Sequence, residues 1–405
     1  MLIPELKRAK LDRVILICVL LCSLFSLLAV YSATYSSGTA AVRENFNKQL
    51  MWISVGLVLF YLVARIPPVV FYSSCYALYL ILVIMLLLLD VFGIIVGGSR
   101  RWFELAGIKI QPSEFMKPVL VLALAHYLSM ETHSPNRLRH LAAAFALVLV
   151  PFALVIKQPD LGTSLVFLSV LIPLLYWRGL SPFTIFVLLA PLITFFASFH
   201  VISFFVVILL ISGVLYLSRR GKWVFISVFL VNIMVGLLSP VVWNNLHTYQ
   251  QHRVLTFLGL MSDPKGVGYQ IIQSKVAIGS GGFLGKGLLH GTQTQLRFLP
   301  AQHTDFIFSV LAEEWGFLGS MAVLLIFFIM LHRIIKIASS AHHRFASLLT
   351  IGLMIMLAFQ IILNIGMTMG VAPVTGVPLP FISYGGSAML TNMVVAGMIC
   401  NVANQ

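Results

Sequence analysis

Val69-Val-Phe-Tyr-Ser-Ser-Cys-Tyr-Ala-Leu-Tyr-Leu-Ile-Leu-Val-Ile-Met-Leu-Leu-Leu-Leu-Asp90-Val-Phe-Gly93 carries no charged side chain before Asp90. Roughly 20 mainly apolar residues suffice for a helix to cross a bilayer, so this run predicts a transmembrane span. Runs of the same kind stand near 14–34, 49–66, 114–130, 140–157, 161–177, 182–199, 201–218, 223–244, 305–332, 346–370 and 384–402. The expected fold is therefore an all-α polytopic membrane protein of about twelve transmembrane helices. Within it, 182–218 reads either as two helices or as one bent helix.

Composition points the same way. Of the 405 residues 60% are hydrophobic and 9% charged, with a mean hydropathy of +1.01. A soluble chain of this length covers its surface with about a quarter of its residues charged. No soluble domain is legible, since the longest stretch without a span is 245–304. Lys7, Arg8, Lys10 and Arg13 precede the apolar run Val14 to Val30. That run is longer than the apolar region of a signal peptide and more spans follow, so it is read as an uncleaved first helix. Cys18, Cys22, Cys75 and Cys400 lie inside apolar runs without metal-ligand spacing and are read as packing residues.

Charge sets the expected orientation. With twelve spans and the N-terminus inside, the inner loops hold Arg65, Arg137, Arg139, Arg178, Arg219, Arg220, Lys222, Arg333, Lys336 and Arg344. With the four N-terminal cations these make fourteen. The short outer loops and adjoining helix ends hold seven: Arg43, Lys48, Arg100, Arg101, Lys109, Lys117 and Lys157. Cations favour the cytoplasmic side, which places both termini in the cytoplasm and 245–304 outside. One helix across 182–218 would leave Arg219, Arg220 and Lys222 outside, so two are expected.

Only twelve residues are acidic. Glu5, Asp12 and Glu131 fall at the cytoplasmic side, whereas Asp90, Glu114, Asp160 and Asp305 fall at the outer ends of different helices. Glu313 and Glu314 sit about 12–14 Å deeper than Asp305 along a helix. Ionisable groups in spans are costly and tend to face a cavity on a functional path, although capping or interfacial anchoring accounts for any one of them. Lys117 follows Glu114 on the same helix face and can pair with it. Lys157 ends the fifth span. Arg253, Lys265, Lys275, Lys286 and Arg297 in the outer segment face a single acid, Asp263. A basic outer surface suits a pyrophosphate headgroup or, more blandly, ordinary anionic phospholipid.

Gly279, Gly281, Gly282, Gly285, Gly287 and Gly291 crowd the outer segment. A phosphate-binding loop ending on Gly285-Lys286 fails at Ser280 and Gly287, and a dinucleotide fingerprint starting at Gly279 fails at Leu284. The glycines suggest a mobile flap or a close backbone approach to a ligand. Pro373, Pro378 and Pro380 forbid a continuous helix between the last two spans.

Val377-Pro-Leu-Pro-Phe-Ile-Ser-Tyr-Gly-Gly-Ser387 resembles the signature of the SEDS family of shape, elongation, division and sporulation proteins, which includes RodA and FtsW. The resemblance continues in order through Arg100-Arg-Trp102, Gln111-Pro-Ser-Glu114, Gln158-Pro-Asp-Leu-Gly-Thr163, Gly268-Tyr-Gln-Ile-Ile-Gln-Ser274 and the block Gly279 to Gly316 with His303-Thr-Asp-Phe306. Gly291-Thr-Gln-Thr-Gln-Leu-Arg-Phe-Leu-Pro300 resembles the RodA branch, which implies cell elongation. Ala301-Gln302 departs from the family's frequent Pro-Glu. About three hydrophobic segments fill 182–244 where a typical RodA has one, so 182–244 is read as an atypical transmembrane insertion in a single membrane domain over 1–405.

The resemblance implies a peptidoglycan glycosyltransferase that polymerises lipid II at the outer membrane face and carries a polyprenyl-diphosphate-linked glycan. It implies a class B penicillin-binding protein and membrane proteins of the elongation machinery as partners, and no nucleic acid. It makes Asp305 the essential carboxylate, a general base for the acceptor hydroxyl. Arg100, Arg101, Trp102, Glu114, Lys117, Lys157, Asp160, Lys275, His303, Ser383 and Tyr384 are the expected substrate-binding set. Arg101, Lys117 and Lys157 would form a cationic pocket for pyrophosphate. No carboxylate pair has a spacing that demands retention, so inversion is expected. His303 is read as a positioning residue rather than a metal ligand, no metal site is assigned, and a divalent cation is left open. Two other classes stay open on these residues: a lipid flippase or secondary transporter, and a noncatalytic cell-wall scaffold.

Overall fold

The computed structural model describes residues 11–35, 39–96, 99–105, 107–245, 251, 255 and 267–403. Lys7, Arg8, Lys10, Glu5, Arg253, Asp263 and Lys265 lie outside the described residues.

Every apolar run expected to cross the membrane is helical. In chain order these are α1 (Arg13–Tyr35), α2 (Thr39–Ala64), α3 (Pro68–Phe92), α4 (Pro112–Ser129), α5 (Leu138–Lys157), α6 (Leu161–Trp177), α7 (Pro182–Ala197), α8 (Val201–Ser218) and α9 (Lys222–Asn244). After α10 (Val267–Ser280) and the single turn α11 (Thr292–Gln295) come α12 (Ile307–Ser340), α13 (Arg344–Thr368) and α14 (Gly386–Ala403). Among the described residues, nine helices are long and apolar enough to cross a bilayer; α6 and α7 are shorter apolar helices. The chain is a multi-pass, all-α membrane protein. Residues 182–218 form two helices, with Ser198, Phe199 and His200 turning between them.

The stretch between α3 and α4, read from sequence as a short loop, is instead a small antiparallel sheet: β1 (Ile94–Val96), β2 (Ser99–Leu105) and β3 (Ile108–Ile110), in that order. Isoleucine and valine favour the extended chain. Glu104 stands opposite Lys109 across the β2–β3 pair, an arrangement that favours this register. Gly107, with φ +80°, makes the tight turn between them.

The chain divides into two compact units, Met1–Leu174 with Ser262–Gln405, and Leu175–Met261. In the first, α14 packs along α2, α12 against α13 and α1, and α4 against α3 and α13. Its two ends differ in chemistry. At one end Asp12 pairs with Arg333 at 2.7 Å, Glu131 with Arg344 at 3.7 Å, and Asn401 donates to the carbonyls of Ala64 and Ile66. Cys400 lies against the Asp12 backbone, so α1 begins and α14 ends at this same end. The sheet, the starts of α4, α6, α12 and α14, and the ends of α5 and α13 gather at the other end. In the second unit α7, α8 and α9 pack on one another. Thr194 donates to Asn232 at 2.7 Å, which satisfies two buried polar side chains between α7 and α9.

Helix α12 is broken at Gly316, whose φ of 64° and ψ of −158° interrupt the ladder. The carbonyls of Glu313 and Glu314 therefore lose their usual donors, and the amides of Phe317 and Leu318 lose their usual acceptors. The glycine-rich segment supplies all four. Lys286 and Gly287 donate to Glu313 and Glu314 at 3.1 and 2.9 Å, and Phe317 and Leu318 donate to Gly282 and Phe283 at 2.9 and 3.2 Å. A Cβ on Gly285 would stand 2.1 Å from the Glu314 carbonyl oxygen, and one on Gly281 2.1 Å from that of Ala312. The flap reading of these glycines is thus corrected. The close approach, made at Gly281 and Gly285, is to α12, because a broken helix within a bilayer needs protein partners for its backbone.

Candidate active site

Asp305 sits in the turn that leads into α12. Three consecutive carbonyls of this turn each accept a hydrogen bond from the last third of the chain. The Tyr384 amide donates to His303 at 3.0 Å, the Ser383 hydroxyl to Thr304 at 2.6 Å, and the Asn364 side-chain amide to Asp305 at 2.9 Å. Asn364 is fully buried and donates also to Val377 at 2.7 Å. Ser383 accepts in turn from the Leu379 amide at 2.8 Å. The proline-rich segment is consequently fastened to the His303-Thr-Asp305 turn. Gly376, at φ +75°, lies so near that a Cβ there would be 3.4 Å from the Asp305 carboxylate. The His303 and Tyr384 rings meet edge to face at 5.6 Å. Burial lowers the His303 pKa and raises that of Tyr384, so both stay neutral near pH 7.

A second set of contacts joins this loop to α4 and α6. A Cβ on Gly162 would fall 2.6 Å from the Thr375 carbonyl oxygen, so the first turn of α6 lies directly on the loop. Asp160 caps α6, accepting from the Thr163 amide at 3.2 Å and its hydroxyl at 3.0 Å. Its other contact is the Gln111 side chain at 3.2 Å, at the start of α4. The Gln111 amide donates to Ser387 at the start of α14. One turn along α4, Glu114 and Lys117 pair at 2.8 Å with side chains only 7% and 2% exposed. Breaking such a pair leaves a bare charge in a dry site, at a cost of about 3–5 kcal/mol.

The remaining cations have partners of different quality. Arg101 on β2 donates to the carbonyls of Gln158, at 2.9 Å, and Pro159, clamping the α5–α6 turn. Arg100 donates to the Asp90 carbonyl at 2.8 Å, and Trp102 pairs with Ile94 in the β1–β2 ladder. Lys157 meets the Asp90 carboxylate at 2.7 Å, with side chains 71% and 42% exposed. An exposed pair is worth at most about 1 kcal/mol, so a phosphate can compete for Lys157. Lys275 reaches from α10 to the end of α13, where a Cβ on Gly370 would be 2.6 Å from its Nζ. Its ammonium complements the C-terminal end of that helix dipole.

Glu313 and Glu314 are both buried and engaged by partners within the protein. Glu313 pairs with Lys286 at 2.8 Å and accepts from Gln293, Thr292 and Thr294, which fixes α11 onto α12. Glu314 accepts from Ser32 and from the Leu289 amide. Both are anchors for the glycine-rich segment. Among the described residues no three His, Cys, Asp or Glu side chains gather as a metal-binding group.

The turn, the proline-rich loop and the capped start of α6 are parts of one constellation, and the chain that builds it is similar to known proteins along nearly its whole length. A family model described as cell cycle protein, covering FtsW, RodA and SpoVE, matches residues 12–207 and 201–405. The chain belongs to the SEDS family. It is 37% identical to the peptidoglycan glycosyltransferase MrdB of Escherichia coli K12 over 397 residues, covering 98% of this chain and 94% of that one. It is 33% identical to the peptidoglycan glycosyltransferase RodA of Treponema pallidum, over 96% and 97% of the two chains. Stage V sporulation protein E of Bacillus subtilis is 30% identical, over 98% of each. Among solved structures, a chain of a peptidoglycan synthase complex superposes with a TM-score of 0.73 at 29% identity, covering 97% of both chains. The Rod shape determining protein RodA of Thermus thermophilus shares the fold, with a TM-score of 0.64 at 24% identity over 98% of this chain and 97% of that one.

Sequence reasoning did not single out Asn364 or Gln111 as site residues. Asn364 left one signal, an amide within an apolar span, where each unpartnered polar group is costly.

Proposed function

We propose that this SEDS protein is a peptidoglycan glycosyltransferase of the RodA/FtsW type that polymerises lipid II at the outer face of the cytoplasmic membrane. The observation that carries the proposal is the threefold backbone hold on the turn bearing Asp305, at the end of the first unit where the start of α6 and the paired Glu114 and Lys117 also lie. Family membership and the activity named for the Escherichia coli and Treponema pallidum relatives support it.

In this proposal Asp305 takes the proton of the acceptor sugar's 4-hydroxyl. The freed oxygen bonds to the donor's anomeric carbon as the bond from that carbon to the pyrophosphate oxygen breaks, with inversion. Lys157, held only by an exposed pair, turns to the departing pyrophosphate. Arg101 holds the α5–α6 turn beside it, and Arg100 and Trp102 shape the sheet that carries Arg101. Lys117 keeps Glu114 neutralised at the base of the same site. Asp160, His303, Ser383 and Tyr384 position the loop around the substrate, and Lys275 offers a further cation at the end of α13.

Twelve spans, cytoplasmic termini, an outer segment over 245–304 and a transmembrane insertion over 182–244 within one membrane domain complete the proposal. The RodA-like Gly291 to Pro300 block supports a role in elongation. A class B penicillin-binding protein is the proposed partner, supported by likeness to a chain of a complex that coordinates polymerization with crosslinking. Purified protein, reconstituted with such a partner and given lipid II, should make glycan chains. Movement of lipid II across vesicles without polymer would replace the proposal with a flippase, and neither result with a scaffold.

A further inference from the structure

The second unit contains no acidic residue, since none occurs between Asp160 and Asp263. It nevertheless concentrates cations at one end. Arg219, Arg220 and Lys222 occupy the turn between α8 and α9, and Arg178 precedes α7. The Arg220 guanidinium lies 5.3 Å from the Phe183 ring, which brings the beginning of α7 to this same turn. Among the described residues, no carboxylate pairs with Arg219, Arg220 or Lys222.

The turn frames an open cleft of about 460 Å³, within the range of about 300–1,000 Å³ common to small-molecule sites. It is lined by the cations Arg219, Arg220 and Lys222 and by the apolar Leu215, Phe225 and Ile226. The helices below it turn apolar side chains outward: Leu209 is 73% exposed and Leu217 79%. Tyr216 and Trp223 flank the turn, exposed by 79% and 84%, and Trp177 stands beside Arg178. Aromatic side chains of this kind mark the level where a bilayer meets water. Three cations without a carboxylate, at that level and over an apolar floor, have one suitable counter-ion on hand.

We propose that the α8–α9 turn is a binding site for an anionic glycerophospholipid. Its phosphate is held by Arg219, Arg220 and Lys222, and an acyl chain lies along Leu215, Phe225 and Ile226. Guanidinium groups bind phosphate through paired N–H donors, and each basic residue near an anionic membrane surface adds about 1 kcal/mol, or about fivefold in affinity. The apolar lining distinguishes a lipid from a free anion.

Native mass spectrometry of the purified full chain, titrated with phosphatidylglycerol or phosphatidylcholine, tests this. Phosphatidylglycerol should be retained preferentially. Removing one charge with Lys222→Gln should weaken it about fivefold, and the triple variant Arg219→Gln, Arg220→Gln, Lys222→Gln on the order of a hundredfold. Arg219→Lys with Arg220→Lys keeps the charge and should keep most of the binding, which separates charge loss from misfolding should the triple variant melt early. Equal retention of both lipids, or no loss in Lys222→Gln and the triple variant, overturns the site. So does equally tight binding of soluble glycerol phosphate, which would mean a free-anion site, or of a polyglutamate peptide, which would mean a protein-docking turn.

Discussion

Asp305 is aimed from three sides through carbonyls that belong to residues 303, 304 and 305, and the donors come from Tyr384, Ser383 and Asn364. Of these, only Asn364 touches the Asp305 residue itself, so Asn364→Leu should misplace the carboxylate and strand two buried carbonyls. Each lost partner costs about 1–3 kcal/mol; if a comparable amount appears in the barrier, polymerisation falls about tenfold to a hundredfold. The loss should appear in kcat with the protein still inserted and folded; an unchanged kcat would remove Asn364 as a positioning residue. Glu114 and Lys117 call for a double-mutant comparison. Lys117→Met and Glu114→Gln should each impair the protein, and the double variant should recover much of the loss if the pair serves only itself. No recovery beyond Lys117→Met would mean that Lys117 contacts phosphate. Such charged residues were legible in the sequence because a carboxylate or ammonium in apolar surroundings is conspicuous. Asn364 was not, because its two partners lie 59 and 13 residues away and are carbonyls, which leave no trace in residue type.

At the scale of elements, the start of α12 is held by a graft of backbone onto backbone. The density of glycine at 279–291 was visible in the sequence; what the glycines approach was not, because the acceptor is a break in a helix that reads as one apolar run. Gly316→Ala should be strongly destabilising. It would place a side chain at φ 64° and ψ −158°, a region open essentially to glycine alone, at a strain of about 1–3 kcal/mol, and its Cβ would stand 2.3 Å from the Gly285 amide nitrogen. A large drop in melting temperature in detergent is expected, and a melting temperature equal to that of the unsubstituted protein would contradict the graft. The sheet between α3 and α4 was missed for a related reason. Its strands are three to seven residues long, too short for alternation to stand out beside helices of twenty.

For the whole molecule, composition and the length of apolar runs were enough to expect a multi-pass α-helical protein, since only lipid can cover such a surface. The partition into two compact units was foreshadowed by the unusual 182–244 segment. Orientation is a proposal with a direct test. A cysteine at Arg220 should be labelled only from the cytoplasm and one at Ala301, exposed beside the Asp305 turn, only from outside. The native cysteines are all buried, so background labelling should be low. Labelling of both from one side would overturn the count of crossings between them. The most direct test of the central claim is glycan synthesis from lipid II by Asp305→Asn protein, reconstituted at wild-type levels with its partner. The side chain keeps its shape and loses its basicity, so polymer should disappear while insertion and partner binding persist; substantial glycan from the well-folded variant would contradict the assignment of Asp305 as the base.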